Sequence, residues 1–130
     1  MEPRTDPCPF CALLGSAGMV AEHKTVFAVF DIAPFTPGHL LVITKRHTNN
    51  YLTMTPEERT DAGELLKELS EKTVGSDPTV LGFNVGSNCG EAAGQSVMHA
   101  HIHLVPRRRG DRPRWGRARG SRSESRPVVS

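Results

Sequence analysis

Aromatic residues are scarce in this 130-residue chain, which has one tryptophan, one tyrosine and five phenylalanines. The single tryptophan, Trp115, lies in an Arg-rich C-terminal stretch and is thin support for a platform that stacks nucleic-acid bases. No apolar run approaches the roughly 18 residues that a membrane span requires. The opening "MEPRTDPCPFCALLG" lacks the basic start of a secretory leader. A cytoplasmic location and no membrane partner are therefore expected. Cysteine is also sparse, and three residues without a leader argue against a disulfide framework. Two of them form "CPFC" at Cys8 and Cys11; Cys89 stands alone and is expected to be uninvolved.

What is present is a moderately hydrophobic chain with a divided charge. Hydrophobic residues make up 37% and charged residues 23%, which suits one soluble domain with one modest core. The net charge of +2 conceals nine arginines within residues 107–126, opposed there only by Asp111 and Glu124. The remainder holds seven basic against twelve acidic residues. Residues 1–111 are expected to form the domain. Residues 112–130, rich in Arg, Ser, Gly and Pro, lack an apolar pattern that could repay ordering entropy and are expected to be a disordered tail. Such a tail solubilises, or attracts phosphate and nucleic acid weakly.

The segment "MVAEHKTVFAVFDIAPFTPGHLLVITKRH" is rich in Val, Phe and Ile and broken by Pro and Gly. It predicts strands near 19–23, 26–31 and 38–44. A helix follows, with Thr55 as cap, Pro56 in the first turn and Glu58 completing a capping box. Ala62, Leu65, Leu66, Leu69 and Thr73 recur on one helical face, and Gly75 and Pro78 end it. "TVLGFNVG" and "MHAHIHLVP" predict two more strands. Gly82, Gly86, Gly90 and Gly94 mark a strand running into a flexible loop. This is an α+β pattern.

"MHAHIHLVP" carries His99, His101 and His103 at every second position. In a strand all three face one way, while Ala100, Ile102 and Leu104 face the core. Three uses compete. A metal site from all three is strained, because alternate residues lie about 6.5–7 Å apart along a strand. A structural hydrogen-bonded row is the second. The third is an anion-handling catalytic row, with the preceding "GQS" supplying donors for phosphate oxygens.

"QSVMHAHIHLV" resembles the defining motif of the histidine triad (HIT) family, and the likeness extends to "FNVGSNCGEAAGQSV", "PFTPGHLLVITKRH" and "FAVFDIAP", across roughly residues 8–111. The resemblance implies an antiparallel sheet of about five strands with one long and one short helix, paired into a homodimer. It implies His101 as a nucleophile that attacks the α-phosphorus of a nucleotide, its tautomer fixed by the His99 carbonyl. His103 and His39 join it in the catalytic group. Gln95, Ser96, Asn84 and His103 are implied at the phosphates, and Asp31 at the ribose hydroxyls. Phe10, Leu13, Phe30, Ile32 and Leu40 are candidate walls for a purine.

Two cysteines at C-x₂-C spacing are half of a tetrahedral zinc site. Resemblance to zinc-containing relatives implies its completion by His47 and His99, giving a structural Zn²⁺ on Cys8, Cys11, His47 and His99. The expected activity is a nucleotide hydrolase acting at the α-phosphate, foremost a purine nucleoside phosphoramidase or acyl-adenylate hydrolase. "HLVPRRRGD" resembles instead the ending of dinucleoside polyphosphate hydrolases, the alternative. A reading of another class is a nucleotide-binding regulatory or nucleic-acid-associated module recruited by the basic tail.

Overall fold

The computed structural model describes residues 8–111. The Arg-rich segment 112–130, with the disorder and nucleic-acid contact expected of it, lies outside the described residues. Five strands form one sheet: β1 (Met19–Glu22), β2 (Val26–Phe30), β3 (Leu40–Thr44), β4 (Val80–Gly86) and β5 (His101–Arg108). Their order is β1-β2-β3-β5-β4, and every neighbouring pair is antiparallel. One long helix, α1 (Pro56–Ser76), connects β3 to β4 across one face. Single 3-10 turns at Cys11–Leu13, Tyr51–Thr53 and Glu91–Ala93 are the short helical elements among the described residues. Among the described residues no helix is long and apolar enough to cross a membrane.

The periodicities explain the layers. Ala62, Leu65 and Leu69 of α1 pack on Val26, Ala28, Leu40, Val42, Ala100, Ile102 and Leu104. The alternate set on the opposite face, Phe27, Val29, Leu41 and Ile43, is covered by Phe10, Leu13 and Met19 from the N-terminal segment. This double covering is why β3 is buried at all five positions. It also makes the second face apolar at β2 and β3 and leaves imidazoles on it at β5.

The helix begins as its sequence dictates. Thr55 Oγ1 accepts from the Glu58 N–H at 3.0 Å, and Glu58 Oε1 accepts from the Thr55 N–H at 2.8 Å. Glu58 is almost wholly buried and also receives Arg46 through both Nε and Nη2, each at 2.9 Å. That guanidinium, more than desolvation opposes, holds the Glu58 carboxyl below its ordinary value of 4.5. Glu58→Ala should therefore cost about 2 kcal/mol in denaturant unfolding, from a lost cap and a lost charged hydrogen-bond pair. Because the folded carboxyl is the stronger acid, this contribution is present above about pH 4.5 and fades as pH falls through the lowered value.

The last strand starts later than the alternation predicts. β5 opens at His101, so His99 lies before it. The cause is local: the His99 N–H turns back to the Val97 carbonyl at 2.9 Å, and the Ala100 N–H goes to Thr48 at 2.8 Å. His99 nevertheless keeps the side of His101, since Phe10 meets both rings edge-on, at 6.1 and 4.9 Å, while Ala100 stays in the helix-side core.

Candidate active site

His101 and His103 stand on the face of β5 turned away from α1, opposite Ile43 and Leu41 of β3. Their rings are 5.3 Å apart. The hydrogen bonds fix which nitrogen carries each proton, since a carbonyl only accepts and an amide N–H only donates. His101 Nδ1 lies 2.7 Å from the His99 carbonyl and must donate, which leaves Nε2 with a lone pair. The Phe35 N–H donates to His39 Nδ1 at 3.1 Å, so the His39 proton sits on Nε2. That Nε2 is 3.0 Å from His103 Nδ1, which accepts, and this puts the His103 proton on its own Nε2. One imidazole is thus set up as a nucleophile and its neighbour as a donor.

Burial holds these rings neutral. Desolvation lowers the His101 pKa from 6.5 against the opposing His99 hydrogen bond and the Asp31 charge. Desolvation, together with the neighbouring imidazoles His101 and His39, lowers that of His103 to about 4. His39 is lowered too, by desolvation and by Arg107, with Asp31 opposing. Phe10 meets the His101 ring edge-on at 4.9 Å, and Phe35 lies parallel to His103 at 6.4 Å; both keep water off the rings.

The structure brings Asp31 to the same place. Its Oδ2 is 3.6 Å from His39 Nε2, and its Oδ1 accepts from the Ala33 N–H at 3.0 Å. Asn84 stands on β4, paired with Val105. Ser96 is exposed in the loop before the histidines. Gln95 departs from the expectation of a phosphate ligand. Its buried amide donates to the carbonyls of Asn49 at 2.6 Å and Val97 at 2.9 Å, and its Oε1 accepts from the Gly90 N–H at 2.7 Å. Both donor hydrogens are used, and the Gln95 N–H itself donates to the Gly90 carbonyl at 3.1 Å, so the residue shapes the loop. Gly90 and Gly94, at φ +97° and +96°, supply the two left-handed positions of that loop.

Two of the five candidate purine walls need correction. Leu40 belongs to the helix-side core, and Phe30, its direct partner across β2 and β3, shares that face. The site face of β2 instead carries Val29, which packs with Phe10 and Leu13. Ile32 is 99% exposed beside Asp31. Sequence reasoning also passed over Ser87, whose hydroxyl donates to the His101 carbonyl at 2.6 Å and ties the loop to the start of β5.

Cys8, Cys11, His47 and His99 converge, with one donor atom from each all within 4.8 Å of one another. His99 Nε2 donates to the Thr44 carbonyl at 2.8 Å, which turns its Nδ1 lone pair to Cys8 Sγ at 3.4 Å and Cys11 Sγ at 3.6 Å. His47 Nδ1 is 3.1 Å from Cys11 Sγ. A tetrahedral zinc with bonds of about 2.3 Å to sulfur and about 2.0 Å to nitrogen sets S···N edges at about 3.5 Å. The donor set and its edges fit such an ion, and the Thr44 carbonyl orients a ligand as second partners of metal-bound histidines do.

Sheet, imidazole pair and acidic neighbour together define a histidine-triad protein, with the first histidine of the motif in a Cys/His cluster and the other two beside Asp31 and His39. The sequence model of the HIT domain matches residues 16–110, and the chain belongs to the HIT family of nucleotide-binding hydrolases and transferases. An uncharacterized HIT-like protein of Mycobacterium tuberculosis is 37% identical over 112 residues, covering 82% of this chain and 75% of its own. A zinc-bound histidine triad family protein from Mycobacterium smegmatis superposes with a TM-score of 0.73 at 36% identity, over 80% of this chain and 77% of the other. An AP-4-A phosphorylase of Mycobacterium tuberculosis is 37% identical over 97 residues, 72% of this chain but 48% of that enzyme.

Proposed function

We propose that the protein cleaves purine nucleoside 5′-phosphate derivatives at the α-phosphorus through a nucleotidyl intermediate on His101. The observation that carries this reading is the 2.7 Å hydrogen bond from His101 Nδ1 to the His99 carbonyl, which leaves an unprotonated Nε2 on a desolvated ring. Attack forms the Nε2–P bond and expels the leaving group with the electrons of the bond it breaks. Water then attacks the phosphorus as the Nε2–P bond breaks, the electron pair of that bond returns to the ring nitrogen, and the nucleoside monophosphate departs with the proton that water gives up. His103 Nε2–H, Ser96, Asn84 and the loop backbone meet the phosphate oxygens where charge develops. Asp31 receives the ribose hydroxyls, and His39 sets the tautomer of His103. Phe10, Leu13 and Val29 offer the base an apolar wall.

Phosphoramidates and acyl-adenylates are the first substrates of this reading, and dinucleoside polyphosphates the second. Incubation with each donor, acid quench and peptide mass analysis should find a nucleoside monophosphate on the peptide containing His101. Absence of that adduct with every donor, while turnover proceeds, overturns the reading. The lowered His101 pKa also sets the acid limb. With a dinucleoside polyphosphate, whose bridging phosphates do not titrate between about pH 5 and 8, kcat/KM should stay level through 6.5 and fall only at lower pH. A limb at or above 6.5 would show that the ring is not desolvated as described.

The Cys8, Cys11, His47 and His99 cluster is assigned to a structural Zn²⁺, since four protein ligands leave no open position for water. The expected homodimer is assigned to β4. This edge strand exposes Leu81 and Val85 beside a hollow of about 320 Å³ lined by Tyr51, Leu66, Val85 and Ile102.

A further inference from the structure

The turn between β1 and β2 meets the middle of α1. His23 closes that turn, its N–H donating to the Val26 carbonyl at 2.8 Å. Asp61, Glu64 and Glu68 follow one another at offsets of three and four along α1, so their carboxylates share one helix face. Thr25 fixes the first of them. Its N–H and hydroxyl both donate to Asp61 Oδ2, at 3.2 and 2.6 Å, which leaves Oδ1 to offer. One ligand atom each from His23, Asp61 and Glu64 lies within 4.8 Å of the others. None of these residues belongs to the imidazole pair or the cysteine cluster, and α1 covers the face of the sheet away from His101.

The His23 ring separates this group from a solvated acidic patch. Its Nε2 stands 3.0 Å from Glu68 Oε2. A carboxylate only accepts, so Nε2 carries a proton and donates it. Nδ1 is then turned to Glu64 Oε1 at 3.8 Å, too long for a hydrogen bond. An imidazole held from behind by a carboxylate, with its other nitrogen aimed at further ligands, is how metal-binding histidines are oriented. The charge is also unbalanced. Lys24 goes to Glu57, Lys45 to Glu22 and Lys67 to Glu71. Among the described residues no lysine or arginine stands within 4.0 Å of Asp61, Glu64 or Glu68. Three carboxylates therefore face one imidazole. Positive charge placed between them is favoured, and a proton on the ring supplies one unit where a divalent ion supplies two.

We propose that His23 Nδ1, Asp61 and Glu64 form a metal site of their own, which takes a divalent first-row transition ion, with Glu68 as the positioning residue behind the imidazole. The donor set selects the class. Ca²⁺ and Mg²⁺ take oxygen ligands, whereas one imidazole with two carboxylates suits Zn²⁺ or Mn²⁺. Three protein ligands leave the remaining positions to water, unlike the closed set at Cys8, Cys11, His47 and His99. Zinc bonds of about 2.0–2.1 Å set N···O edges at about 3.3 Å. The Glu64 side chain is 62% exposed and closes the remainder by rotating. Asp61 is already held by Thr25, as ligating carboxylates are held by their own hydrogen bonds. An ion here ties the β1–β2 turn to the middle of α1, and the site stands independently of the His101 reading.

The test uses full-length, untagged protein supplied with zinc during purification. Amide NMR spectra are recorded as Mn²⁺ is added, and further Zn²⁺ is titrated in a calorimeter. Mn²⁺ ranks below Zn²⁺ for thiolate and nitrogen ligands, so it leaves the cysteine cluster undisturbed. It should broaden His23, Lys24, Thr25 and residues 61–68 before any others, Zn²⁺ should reverse this, and equal Mg²⁺ should not. Glu68→Gln keeps an acceptor but removes the charge behind the ring, and should weaken binding about tenfold, the order for a partner of a metal-bound histidine. His23→Gln and Glu64→Gln each remove a ligand and should weaken it further, with kcat unchanged. Glu64 has only His23 as a charged partner, so Glu64→Gln remains informative even if His23→Gln loosens the turn. Absence of Mn²⁺ broadening around His23, or metal binding that survives in both His23→Gln and Glu64→Gln, overturns the site. His23 would then stand as a protonated partner of Glu64 and Glu68 in an ion pair.

Discussion

His101→Ala is expected to lower kcat by at least about 10⁴-fold on every donor the protein turns over, with no covalent nucleotide adduct. The size follows from what the ring contributes. It supplies the nucleophile, so its removal leaves only direct attack by water, with the phosphate donors still in place to stabilise charge. It is also pre-set: the His99 carbonyl holds the proton on Nδ1, so no tautomer change precedes attack. A loss of 10⁴ corresponds to about 5.4 kcal/mol in the barrier. His103→Ala should lose less, because it removes one donor from a set that includes Ser96 and the loop backbone; about 10²-fold is the order for one such group. Turnover by His101→Ala within tenfold of wild type would show that another group attacks, and the alternation of His101 and His103 would then be a structural row. Because the ring is buried against Phe10, circular dichroism and the melting temperature should be recorded beside the kinetics, so that lost activity is not lost fold.

The parts of this molecule that depend on near neighbours in the chain were legible in the sequence. The Thr55–Glu58 box, the Ala62–Leu65–Leu69 stripe and the alternation after His99 each rest on residues within a few positions of one another. What escaped depends on register between distant segments. Leu40 and Phe30 look as suitable for a purine wall as Val29 does until the β2–β3 pairing assigns each to a face. A one-residue slip would exchange the two sets. The Arg107–Asn84 bond likewise needs the β4–β5 register, which carries an irregularity between Val80 and Gly82 that no composition signals. Gln95 was misplaced for another reason: an amide beside a candidate phosphate loop suits a ligand or a scaffold equally, and only the positions of Asn49, Val97 and Gly90 decide. β5 begins only at His101 because the His99 and Ala100 N–H groups found partners outside the sheet ladder.

The Cys8, Cys11, His47 and His99 assignment carries the second large expectation. Protein purified without chelator should hold about one zinc per chain, and its removal should lower the melting temperature by more than about 10 °C. The reason is topological. Cys8 is 91 residues from His99, so the ion would close nearly the whole domain into one loop, and long closures remove the most entropy from the unfolded chain. About 3 kcal/mol of such stabilisation moves the melting point of a domain near 100 residues by about 12–24 °C. The consequence also reaches the catalytic rings. The segment held by Cys8 and Cys11 includes Phe10, which packs on His101, and Leu13, which covers the second sheet face. Freed of its anchor, this segment would expose His101 to water, and its pKa would move back up toward 6.5. Cys8→Ala/Cys11→Ala should therefore lose the metal, melt earlier and shift the acid limb of kcat/KM to higher pH, whereas His101→Ala should keep its zinc. Metal well below half an equivalent in protein that melts identically with and without chelator would exclude the ion, and the four side chains would stand as a thiol–imidazole cluster that holds the N-terminal segment by hydrogen bonds alone.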